Sequence, residues 1–132
     1  MADYIAIARS NYFYVKDRAA FNEFCQDNNL EVIEDSETGQ VGFLRDGSVP
    51  RAANVAGPDG LFREQGFYGA LATHLKKGSV AIVMEVGSEK FRYLNGYAVA
   101  VNSKGKTVEI NLDEIYGRAK RLTSCEITSC EY

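Results

Sequence analysis

Tryptophan is absent from this 132-residue chain, histidine occurs once, and both prolines fall between residues 46 and 60. Three cysteines make an odd set: Cys125 and Cys130 would point to opposite sides of a strand. Neither a CxxC redox pair nor a four-ligand zinc set can be assembled from them and His74, so free thiols in a reducing cytoplasm are the expected state. No apolar run approaches membrane-spanning length. The N-terminus has no basic segment leading into a hydrophobic signal core, which predicts no membrane association. A net charge of −3 disfavours general nucleic-acid binding, which needs an excess of Lys and Arg to neutralise phosphates. GxGxxG after a strand, GxxxxGK[ST], HExxH and GxSxG are all missing. No cofactor or metal site is expected, and no catalytic residue is assigned.

What the chain does contain is aromatic and β-prone. Residues 80–110 form three β-rich runs separated by the polar breaks 87–90 and 102–105, the pattern of an antiparallel meander. In the middle run, Phe91, Tyr93, Asn95, Tyr97, Val99 and Val101 alternate with Arg92, Leu94, Gly96, Ala98 and Ala100. Successive side chains point to opposite faces of a sheet. The Gly/Ala face is smooth enough for helices to approach, so the three helices are expected on the Leu94, Ala98 and Ala100 side. The tyrosine face is then left open.

Around this centre the chain reads β-α-β-β-α-β-β-β-α over one domain, residues 1–132. Residues 3–15 form a strand interrupted at Ser10 and Asn11. Asp17 caps a helix over 18–27 whose Ala20, Phe21, Phe24 and Cys25 face a sheet. Residues 30–34 and 40–45 pair as a hairpin across a turn in which Glu31, Glu34, Asp35 and Glu37 gather as a solvated acidic cluster. Residues 46–60 form the longest irregular loop. Asp59 caps a second helix over 61–77, striped by Leu61, Tyr68, Leu71, Ala72 and Leu75, with His74 as a surface histidine. Asn111 caps a third over 112–122, burying Ile115, Tyr116 and Ala119. The last ten residues suit an edge strand. This pattern predicts an α+β two-layer sandwich, an antiparallel sheet with helices on one face. The opening βαββα fits a ferredoxin-like arrangement with extra strands.

Two groups of residues are candidate sites. Tyr93, Asn95 and Tyr97, joined by Tyr12 and Tyr14, offer large rigid rings with polar tips, which suits partner recognition. Glu85, Glu89, Lys90 and Arg92 flank a tight break and could form a polar rim. The stretches NYFYVKDRAAF, MEVGSEKFRYLNGYAVAVNSKGK and LDEIYGRAKRL resemble a family of small bacterial proteins, often carried on plasmids and prophages, that has no assigned activity. The resemblance brings no catalytic motif, so no functional residue is transferred. It implies an anti-defence role of the anti-CRISPR or anti-restriction kind, inhibiting a host protein complex by binding it. The first expectation is therefore a non-enzymatic protein-binding module, with homodimerisation through the tyrosine face as its rival. The alternative is a small enzyme or ligand-binding protein with a pocket between the sheet and the 46–60 loop. Single-strand nucleic-acid binding through stacked tyrosines is a third, disfavoured by charge.

Overall fold

A computed structural model describes residues 4–56 and 62–131. Its strands are β1 (Ile5–Ser10), β2 (Glu31–Glu34), β3 (Val41–Arg45), β4 (Ala52–Ala56), β5 (Phe62–Gly66), β6 (Val80–Glu89), β7 (Tyr93–Asn102) and β8 (Thr107–Asn111). The helices are α1 (Arg18–Asp27), α2 (Phe67–Ala72) and α3 (Glu114–Ala119), the last running into a 3-10 turn at Lys120–Leu122. Six strands make one sheet in the order β2-β3-β1-β6-β7-β8, with every neighbouring pair antiparallel, and β4 and β5 form a separate hairpin. The chain is thus α+β. β3 lies between β1 and β2, which α1 connects, and β1 lies between β3 and β6, which α2 connects. These interlocked split βαβ units give the strand order of a ferredoxin-like unit, widened by β7 and β8.

Local chemistry accounts for the main elements. Asp17 Oδ1 accepts from Ala20 N at 3.2 Å and starts α1, which buries Phe21, Phe24 and Cys25. Asn29 ends it with φ 57°, a left-handed conformation that asparagine tolerates. β1 turns Ala6, Ala8 and Ser10 inward and Ile5, Ile7 and Arg9 outward. At Ser10 the strand leaves the sheet, as the sequence suggests. Asn11 then continues the ladder with its side chain, Oδ1 accepting from Ile82 N at 2.8 Å and Nδ2 donating to Val80 O at 3.2 Å. Two isolated bridges follow, Phe13 to Val41 and Val15 to Leu75.

The core joins Phe13, Phe21, Phe24, Phe43, Phe67, Leu71 and Leu75 to Val41, Ala81, Val83 and Val101 of the sheet. α1 and α2 therefore cover the face that carries Ala81, Val83, Val99 and Val101. By register this is also the face of Glu85, Asn95 and Tyr97. The expected assignment of faces is corrected: the tyrosine side is covered, and the Leu94, Ala98 and Ala100 side is open. β1 also turns small residues, Ala6 and Ala8, to the covered side, where both are buried.

Other boundaries are corrected too. Part of the expected 46–60 loop is β4, held by Asn54 N donating to Asn28 Oδ1 at 2.9 Å, with Ala53 fully buried. Residues 62–66 pair with β4, so only Phe67–Ala72 remains of the expected second helix. Past it, the Val15 to Leu75 bridge draws the chain back toward the sheet. The proposed cap Asp59, Leu61 and the 57–60 loop lie outside the described residues. The break expected at 87–90 moves to Lys90, where φ is 51°. Gly87 serves close packing instead: a Cβ there would strike the Tyr4 ring. Asn111 caps α3 reciprocally, accepting from Glu114 N at 3.2 Å while its own N–H donates to Glu114 Oε2 at 2.8 Å. α3 buries nothing, however; Ile115 is exposed and Tyr116 and Ala119 are only half-buried. The tail is no strand, and meets β7 through one bridge, Glu131 to Tyr93.

The face assignment is tested by two paired substitutions. Ala81→Phe should overpack the core and lower stability by about 1–3 kcal/mol. Ala98→Phe, on the open side and away from the α1–α2 core, should cost less than Ala81→Phe in urea unfolding.

Candidate functional site

Two features of the sheet stand out as candidate sites, one polar on the covered face and one apolar on the open face.

The polar feature centres on Glu85, which follows Ala81 and Val83 along the inward side of β6 and is 3% exposed. Its Oε1 accepts from Tyr97 Oη at 2.9 Å and from Val49 N at 2.6 Å. Its Oε2 accepts from Tyr4 Oη at 3.2 Å. Tyr4 in turn accepts from Asn95 Nδ2 at 3.0 Å and stacks on Tyr93, with ring centroids 5.8 Å apart. Among the described residues Glu85 has no cationic partner; the ion pairs there are Arg18–Glu34 and Arg92–Glu89. Burial, followed by the bond to Glu85, raises the Tyr97 phenol well above its ordinary value. Burial pushes Tyr68 of α2 to about 12 and also raises Tyr4. The Tyr68 hydroxyl, although beside Tyr97, is buried without a hydrogen bond of acceptable geometry.

This cluster holds the chain after β3 against the sheet through Val49, while Tyr4 holds the start of β1. Its hydroxyls are the phenols of Tyr4 and Tyr97, both spent as donors to Glu85, and no Ser, Thr or Cys side chain bonds to that carboxylate among the described residues. His74 instead packs 4.8 Å from the Phe24 ring and 6.2 Å from Phe21, and burial lowers its pKa. It is half-buried, not the surface histidine expected.

The expected partner-binding set is not brought together. Tyr93, Asn95 and Tyr97 share a face, but all three are half-buried and joined to the Glu85 cluster by bonding or stacking. Tyr12 and Tyr14 flank the other end of β6, near Val80, roughly 20 Å away at the rise of a strand. The polar rim also separates. Glu85 is buried, Glu89 pairs with Arg92 at 3.2 Å, and Lys90 turns outward at the reversal.

The apolar feature lies on the opposite face. Ile5 and Ile7 of β1, Val80, Met84 and Val86 of β6, Leu94 of β7, and Val108 and Ile110 of β8 all point there, each between 43% and 72% exposed. Toward β3 this surface sinks into a groove of about 600 Å³ between Ile7, Leu44, Met84 and Val86, rimmed by Arg9, Glu31, Arg45 and Asp46. A signal for it exists in the sequence. Residues 80–84, VAIVM, are apolar in both phases of the alternation, which marks a strand with two apolar faces.

Among the described residues, no group of three or more His, Cys, Asp or Glu is placed to hold a metal, and no helix is long and apolar enough to cross a membrane. No protein-family model, curated protein or solved structure matches the chain.

The raised phenols fix the sign of a pH dependence. In the unfolded chain these tyrosines ionise near 10.0, whereas the fold keeps them neutral to higher pH. At alkaline pH the unfolded state therefore binds fewer protons, and stability falls as pH rises. Stability should hold below pH 10 and decline above it, and the decline should be shallower in Tyr97→Phe. That variant also removes a donor from a buried carboxylate, so it should lose about 1–3 kcal/mol at neutral pH. Urea titrations of both proteins across the alkaline range check this.

Proposed function

We propose that this chain is a non-enzymatic protein-binding module that works by pressing its open sheet face against a protein surface. One observation carries the reading: a contiguous apolar face across four adjacent strands, β1, β6, β7 and β8, is left uncovered by α1 and α2. At about 100 Å² for each exposed side chain, the face presents on the order of 800 Å², what one partner contributes to a standard interface. Monomeric proteins rarely leave an apolar patch of that size in water. The contact residues are then Met84, Val86 and Ile7. Tyr93 and Tyr97 support the opposite face.

The resemblance to plasmid- and prophage-borne bacterial proteins favours one kind of module, a cytoplasmic inhibitor of host defence. It would act stoichiometrically, by occupying a surface that a host complex needs, and requires no cofactor. A second reading, a small-ligand site, is favoured by the groove, whose volume is in the range of ligand pockets and which borders the start of the 46–60 segment.

The test is affinity capture from the native host by wild type and by Met84→Asp, with mass spectrometry of what is retained. Met84 is more than half exposed in the single chain, so the variant should keep the wild-type fold by circular dichroism. Retention of the partner should fall more than about 30-fold, as for a central hot spot. Equal capture by the two proteins would sink the reading. Saturable binding of a small metabolite in the groove, with no protein captured, would favour the ligand site instead.

A further inference from the structure

The open face has relief as well as area. On the β1 side it sinks into the groove between Ile7, Leu44, Met84 and Val86. On the β8 side it rises into α3. Leu112 lies over Gly96, where a Cβ would come within 2.9 Å of its Cδ1, and Ile115 shares a hollow with Ile110 and Leu112. A six-residue helix that buries no residue has little intrinsic stability of its own. From Lys104 to Glu131 every residue except Tyr116 and Ala119 is exposed.

Charge divides the same way. The groove rim carries Glu31 and Asp46, which have no ion-pair partner among the described residues. Its two arginines are engaged with backbone carbonyls, Arg9 with Ser10 O and Arg45 with Ser48, Asn28 and Asn29. The ridge begins with two acids, Asp113 and Glu114, the latter accepting from the Asn111 N–H, and ends in three basic residues, Arg118, Lys120 and Arg121. An apolar hollow whose rim sets two acids without ion-pair partners beside two carbonyl-bonded arginines, and an apolar ridge with a basic end, are thus carried by one chain and lie apart on one face.

We infer that the open face is covered by a second copy of this chain, with the α3 ridge of each copy seated in the groove of the other. A two-fold axis lying in the interface, along the strands and between β6 and β7, brings ridge over groove at both ends. It places Arg118 and its basic neighbours over Glu31 and Asp46 twice. The estimated area meets what a stable dimer requires of each subunit. The inference rests on the reading of this face as a protein-binding surface, and it names the partner of that surface.

Sedimentation of the full chain, with charge-swap variants, tests it. Wild type should be a dimer. Arg118→Glu and Glu31→Lys, both exposed and expected to keep the wild-type fold by circular dichroism, should each weaken the dimer at least about tenfold. Mixing the two variants should restore dimers of near wild-type affinity, because both ridge–groove contacts of the mixed dimer again join opposite signs. A monomeric wild type overturns the inference. So does a dimer unaffected by the swaps, or one that mixing does not restore. If wild type is monomeric while Met84→Asp loses capture of a host protein, the face reading stands and only the second copy is wrong. If wild type is monomeric and Met84→Asp captures normally, both fail.

Discussion

At Ser10 and Asn11 the central strand turns out of the sheet; the Asn11 N–H still donates to Ile82 O at 3.0 Å, and side chains supply further bonds on both sides. Ser10 Oγ accepts from Phe43 N at 2.9 Å and donates to Asn11 O at 2.7 Å, closing the gap toward β3. The Asn11 amide meets β6 on the other side with both its oxygen and its nitrogen. Ser10 is 2% exposed, so any group left unpaired there would carry the full cost of desolvation. The crossing also dictates Gly42, because a Cβ at that position would run into Asn11 O. Freed from the ladder, the chain can bring Phe13 over Val41 and Phe21, and the core assembles on that side.

Much of this fold was legible where the signal was local. Asp17 three residues before Ala20, the paired Asn28 and Asn29, and the Asn111 to Glu114 box act within one turn of the chain, and each does what its spacing implies. The hairpin of β2 and β3 and the meander of β6, β7 and β8 follow from alternation and short polar breaks. What was not legible is non-local. AANVA in β4 reads as loop because alanine and asparagine are poor strand formers. It is held as a strand by β5 and by the side chain of Asn28, twenty-six residues away. The short run of α2 was likewise hidden, since the residues before it are claimed by β4.

The candidate site was misread for a related reason. Alternation along β7 tells which residues share a face, but not which face the helices cover. That choice belongs to partners elsewhere in the chain: the rings of α1 and α2 share one core with Val41, Ala81, Val83 and Val101, on the side where β1 buries Ala6 and Ala8. Once β1 has set the covered side, the antiparallel register carries the same choice through β6 to β7. Tyr97 and Asn95 are then turned inward, and they are accommodated because Glu85 and Tyr4 satisfy them. Tyrosines that looked like recognition residues became the lining of a buried carboxylate.

The same register explains why the sheet is wider than its core. The core under α1 and α2 takes in parts of β3, β6 and the Val101 end of β7, and there the helical layer stops. β8 is exposed on both sides, with Thr107 and Glu109 toward the helices and Val108 and Ile110 toward the open face. In a lone chain it adds backbone hydrogen bonds to β7 but almost no buried apolar area, and α3 adds still less. An alternation with polar residues on the helix side and Val and Ile on the bare side is the reverse of what solvation of an isolated sheet would favour. It is the arrangement expected if the open face, and not the helical one, is where β8 finds its packing. On this argument β8 and α3 extend the open face that β1 and β6 begin, and find their packing there rather than in the core.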